Sequence, residues 1–122
     1  MINPASNAAA RTGVFLAAAA FASLLFINAC GLFYQCGCEA WWAGGSAHCN
    51  IHNAAGPHCP WCLDGGARGG IVYGLVVAVQ AVVAFRPGKA GWLKRLGLAL
   101  VAFPVIGGLF ALVFGLETGY WS

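Results

Sequence analysis

Hydrophobic positions dominate the chain in three long runs, broken by two polar interruptions of different character. Residues 1–12 are small and polar with one cation, Arg11, and from Gly13 to Tyr34 there follow 22 residues without a charge. At ~1.5 Å per residue that run makes about 33 Å of helix, enough for a hydrocarbon core of about 30 Å. It is the first expected membrane span. Ala18 and Ala22, like Ala19 and Ser23, stand four residues apart, a spacing that lets a second helix approach closely. The run Ile71–Phe85 is short for a span. It reaches sufficient length when the helix begins within 67–70 and Arg68 extends toward the headgroups. Gln80 is its one strongly polar residue, expected to hydrogen-bond between helices. The third run covers about 96–116, with Pro104 inside it and a small-residue stripe at Gly107, Ala111 and Gly115. The pattern predicts an all-α integral membrane protein. It forms a single domain over 1–122, with helix 1 at about 13–34, a Cys/His loop at 35–66, helix 2 at about 67–85, a cytoplasmic loop at 86–95 and helix 3 at about 96–116.

Composition agrees, since 61% of the residues are hydrophobic and 7% charged, too few polar groups to clothe a soluble domain of this size. The net charge of +3 forms no basic groove and gives no footing for nucleic acid. Its placement instead orients the chain. Arg11, Arg86, Lys89, Lys94 and Arg95 fall on one side of a three-span arrangement and only Arg68 on the other. By the positive-inside rule the N-terminus is cytoplasmic and the Cys/His loop faces outward, periplasmic or extracellular, from an inner membrane. A competing expectation treats Ile27-Asn28-Ala29-Cys30 as a lipoprotein cleavage box. Asn28 fits such a box poorly and the apolar run continues past Cys30, so a retained helix is preferred.

The chemistry concentrates in 36–62, where five of the six cysteines and all three histidines lie. His48-Cys49-Asn50-Ile51-His52 and His58-Cys59-Pro60-Trp61-Cys62 repeat a His-Cys-x-x-ligand pattern ten residues apart. A two-residue gap allows one tight turn to bring both donors onto one ion. The expected tetrahedral set is Cys49, His52, Cys59 and Cys62, with His48, His58, Cys36 and Cys38 as further candidates. Thiolate with imidazole suits zinc or copper(I). Glu39 and Asp64 are expected to be simply solvated.

Two other uses of the thiols remain open at this point. Cys59-Pro60-Trp61-Cys62 resembles the CPxC turn of glutaredoxin-like and DsbA-like oxidoreductases over four residues, and the paired thiols Cys36/Cys38 and Cys59/Cys62 are similar in logic to DsbB-type membrane thiol oxidases. Those oxidases have four helices where three are read here. Such a resemblance implies thiol–disulfide exchange at these four cysteines. Alternatively, six cysteines in an oxidising compartment make three structural disulfides. That use leaves unexplained why each histidine lies so near a cysteine. The expected partners are the lipid bilayer and either a second copy or a larger membrane complex, reached through the small-residue faces.

Overall fold

A computed structural model describes residues 4–121. Three helices account for most of it: α1 (Pro4–Tyr34), α2 (Leu63–Phe85) and α3 (Trp92–Thr118). Among the described residues there is no strand, and the segment between α1 and α2 carries three one-turn 3₁₀ helices at Trp41–Ala43, Asn50–His52 and Pro60–Cys62. The stretches Ala8–Tyr34, Pro60–Phe85 and Trp92–Thr118 are each long and apolar enough to cross a membrane.

The helix ends differ from the sequence expectation for physical reasons. Pro4 is compatible with a first helical turn, whose amides have no helical partner, and the alanines at 8–10 are strong helix formers, so α1 begins well before Gly13. It ends where Gln35 turns to φ +48° and Gly37 to φ +93°. In α2, Asp64, Gly65 and Gly66 all lie in the left-handed region (φ +55°, +71° and +87°), so right-handed helix starts only after Gly66. That left-handed stretch turns the chain from the 3₁₀ turn at Pro60–Cys62 into the membrane-length run. α3 begins at Trp92, with Arg95 buried in its first turn. The Arg95 guanidinium donates to the carbonyls of Val83, Ala84 and Gly88, at 3.0, 3.3 and 3.2 Å. It thereby satisfies the exposed end of α2 with a cation, the charge a helix C-terminus favours.

Burial follows a four-residue rhythm. Val14, Ala18 and Ala22 of α1, Val72, Val76, Gln80 and Ala84 of α2, and Arg95, Ala99, Phe103, Gly107, Ala111 and Gly115 of α3 face inward. These seams consist mainly of small residues, which lets the backbones close together by ridge-into-groove packing. Leu16, Leu32, Val82, Leu98, Val105 and Leu116 are exposed instead. A bundle with small residues inside and large aliphatics outside is arranged for a lipid solvent. Gln80 ties the three helices together: its Nε2 donates to Ala18 O at 3.2 Å and Ala99 O at 3.0 Å. This is the interhelical bond its position in the sequence predicts.

Segment 35–62 folds down onto the bundle end rather than standing off it. Cys36, Cys49, Cys59, Pro60 and Trp61 are buried there. Trp61 stacks on Phe26 with ring centroids 4.8 Å apart and meets Phe33 and Tyr34 edge-on. Gly69 makes room for it, since a Cβ at 69 would lie 2.8 Å from Trp61 O. Trp41 and Trp42 are exposed, by contrast. The tail is tied to the same end: Tyr120 Oη donates to Tyr34 O at 2.6 Å, and Tyr34 Oη donates to Ala111 O at 2.7 Å.

Candidate metal centre

Six cysteines meet where α1 ends, α2 begins and segment 35–62 is held between them. Cys30 comes from α1 itself, one helical turn before its end, so its Sγ projects from the bundle into the 35–62 segment. Gly31 lets that segment settle closely, because a Cβ there would lie 2.5 Å from Cys38 O. Cys36 and Cys38 follow the left-handed exit from α1. Cys49 stands at the start of the turn Asn50–His52, and Cys59 and Cys62 flank the turn Pro60–Cys62.

Asn50 is the keystone of the surrounding backbone. Its amide donates to Cys36 O at 2.7 Å, its Oδ1 accepts from the Cys59 amide at 2.7 Å, and its Nδ2 donates to Tyr120 Oη at 2.8 Å. One residue, through its backbone N–H and its side chain, thus joins three cysteine-bearing stretches to the C-terminal tail. Sequence reasoning passed over Asn50, whose only signal was a polar residue inside the His-Cys-x-x-ligand repeat.

The sulfurs approach at 3.1 Å (Cys30–Cys59), 3.4 Å (Cys36–Cys38), 3.5 Å (Cys49–Cys62) and 3.7 Å (Cys30–Cys36). All six are free thiols, separated by more than the ~2.05 Å of a disulfide bond. Four sets of three could each hold a metal ion: Cys30/Cys36/Cys59, Cys30/Cys38/Cys62, Cys36/Cys38/Cys49 and Cys49/Cys59/Cys62, with donor atoms within 4.8 Å of one another in each set. A cavity lined by Phe26, Cys30, Cys38, Trp61, Cys62 and Tyr73 opens onto the second set.

The structure brings together Cys49, Cys59 and Cys62 of the expected tetrahedral set, and adds Cys36 and Cys38 to them. The histidines are placed elsewhere. His52 Nε2 donates to Ser46 O at 3.0 Å and His58 Nε2 to Asn53 O at 2.9 Å. No histidine occurs in the metal-capable sets among the described residues, and His48 and His52 are exposed. His52, the fourth member of the expected set, lies outside the metal-capable thiol groups among the described residues. Cys30 is the ligand candidate that the sequence reading left out. Its signal was a cysteine near the end of an uncharged helix, six residues before Cys36. Glu39 and Asp64 are exposed.

Packing the sulfurs together makes most of them reluctant to ionise. Burial pushes the Cys49 thiol up to about 11, against a hydrogen bond from the Ile51 amide that lowers it. Burial, followed by the neighbouring Cys36 and Cys49 thiols, carries Cys38 well above its ordinary value. For Cys59 the contact with Cys30 favours the thiolate, but Cys62 and burial outweigh it and the net direction is upward. Cys36 goes the other way. Burial raises it, yet contacts with the Cys38 amide and the thiols of Cys38, Cys30 and Cys59 favour its thiolate and lower it overall. A cage of mostly protonated thiols is a site that a soft cation can stabilise by displacing the protons.

No protein-family model, curated protein or solved structure matches this chain. Its chemistry is therefore read from the site alone.

Proposed function

We propose that this protein is a small three-span protein of the inner membrane that holds a soft or borderline metal, copper(I) or zinc, in a thiol cage at the outward end of its helices. The observation that carries this reading is the convergence of all six cysteines into overlapping metal-capable sets. The positive-inside bias supports the orientation: Arg11, Arg86, Lys89, Lys94 and Arg95 belong to the cytoplasmic side and Arg68 to the outward side, where it pairs with Glu117 at 3.5 Å. On that reading segment 35–62 lies at the outer membrane–water boundary, with Trp41 and Trp42 as interfacial anchors. The exposed aliphatic flanks take lipid, a second copy, or the helices of a larger complex in which this chain is a metal-handling subunit.

The test is elemental analysis of the full chain purified in detergent under reducing conditions. Stoichiometric metal, reduced in Cys59→Ser, is the expected result. Folded protein that carries no metal and takes up neither zinc nor copper(I) would overturn the reading. Thiol–disulfide exchange is a second reading, favoured by the 3.1 Å approach of Cys30 and Cys59. It calls for a mixed disulfide with a partner thiol, trapped on a single-cysteine variant of this pair.

A further inference from the structure

The way the four metal-capable sets overlap carries a more specific conclusion, one that rests on the metal-binding reading. Each cysteine belongs to two of the four triplets, and any two triplets share one cysteine. No pair is repeated, so twelve of the fifteen possible thiol pairs lie within 4.8 Å. The three pairs that share no triplet are Cys30/Cys49, Cys36/Cys62 and Cys38/Cys59. This is the connectivity of an octahedron: those three pairs are its opposite corners, the four triplets are alternate faces, and the same contacts close the other four faces, which share edges with the first and so cannot be filled alongside them.

An octahedron of donors is a poor tetrahedral site. With thiolate bonds of about 2.3 Å, four sulfurs around one zinc ion must all lie about 3.8 Å from one another. Any four of these six thiols include at least one opposite pair, so no such quartet exists in the cage. Three coplanar sulfurs around one ion need an edge of about 4 Å at the same bond length. The Sγ–Sγ contacts of 3.1, 3.4, 3.5 and 3.7 Å are within reach of that edge by a small expansion.

We propose that the cage takes four copper(I) ions, one on each triplet, with each of the six thiolates bridging two ions. Copper(I) is soft, accepts three-coordination and tolerates bridging thiolate, whereas zinc would need a further donor on each face. His52 and His58 are turned toward the Ser46 and Asn53 carbonyls and do not supply one. Copper enters and remains as copper(I). Six thiol protons leave, and four positive charges against six thiolates leave a cluster of charge −2. An open cavity over the Cys30/Cys38/Cys62 face, bordered by Phe26 of α1 and Tyr73 of α2, gives an approach to that face.

The test is anaerobic titration of the reduced full chain in detergent with tetrakis(acetonitrile)copper(I) against a chromophoric copper(I) chelator, followed by X-ray absorption of the loaded protein. Four ions per chain are expected. So is copper–copper scattering at about 2.7 Å, two-thirds of the sulfur edge that follows from the ~2.3 Å bond. Removing a corner shared by two faces, in Cys38→Ser, should leave two fully coordinated ions instead of four. Saturation at one copper or zinc per chain without metal–metal scattering would overturn the cluster and leave metal binding intact. Folded protein that retains no metal would overturn both. The stoichiometry of the unaltered chain decides the matter even if Cys38→Ser fails to fold.

Discussion

Cys30 and His52 define the residue scale: spacing along the chain groups His52 with the thiols and leaves Cys30 out, whereas the fold sets Cys30 among the sulfurs and turns His52 away from them. The Cys59-x2-Cys62 and Cys36-x-Cys38 pairs are legible in the sequence, since a short turn must keep their sulfurs near one another. Whether His52 joins them depends on backbone direction inside one 3₁₀ turn, and there the ring bonds to Ser46 O. Cys30 was hidden by the opposite effect. Its neighbours in sequence make it one more apolar helix position, and only the fold of 35–62 back over α1 brings Cys59 Sγ to 3.1 Å from it. Cys30→Ser is therefore expected to weaken metal binding by about 100-fold or more, since groups that merely orient a metal ligand are already worth about 10- to 100-fold. His52→Ala should leave affinity unchanged. Competitive titration of the two variants under reducing conditions measures both, and equal losses would put the imidazole back among the ligands.

Each element's role rests on a few close approaches. The first and third helices were legible from uncharged runs of membrane-spanning length and the second from a shorter run extended past Arg68, because in lipid a lone segment satisfies its backbone groups as a helix. Their ends were less so, since the start of right-handed helix in α2 depends on three successive left-handed residues. The packing of Trp61 against Gly69 was not legible at all, being a contact made across that left-handed stretch. Gly69→Val should push the Trp61 backbone away and loosen the cage, lowering bound metal to well below half. At Gly70 an added Cβ meets open space, so Gly70→Ala should retain full loading. Metal content and tryptophan fluorescence of the two variants distinguish a specific contact from a general intolerance of the helix start. Gln80 makes a separate contribution to assembly. Gln80→Leu removes both hydrogen bonds to the α1 and α3 carbonyls and relieves a buried Oε1 that has no partner. The net loss should be about 1 kcal/mol, within the range of interhelical hydrogen bonds in membranes. Unfolding of the variant in mixed micelles checks the size, and unchanged metal content would separate helix assembly from the cage.

For the whole molecule, the thiol cluster links the stability of the bundle end to pH, and on the metal-binding reading the sign of that link changes with metal. Segment 35–62 has little apolar core beyond Trp61 and the sulfurs themselves, so the protonation state of the thiols bears directly on whether it stays folded down. In the metal-free protein burial raises Cys49 from 9.0 to about 11, and Cys38 and Cys59 are displaced in the same direction. A thiol whose folded value is raised holds its proton more tightly in the folded state. Its contribution is fully present below about pH 9 and is lost as pH climbs toward 11, where the unfolded chain has already released the proton. Cys36 is lowered, so its contribution is gained as pH rises to about 9 and stays level through that interval. Metal reverses the dependence: the ligands must be thiolates, protons compete with the ion, and stability is lost on acidification instead. Thermal unfolding in detergent should accordingly show the metal-free chain losing midpoint temperature between about pH 9 and 11. The loaded chain should hold its midpoint across that interval and fall at acid pH as metal is released. Two parallel profiles would mean that the thiols are not the groups through which metal and fold are linked.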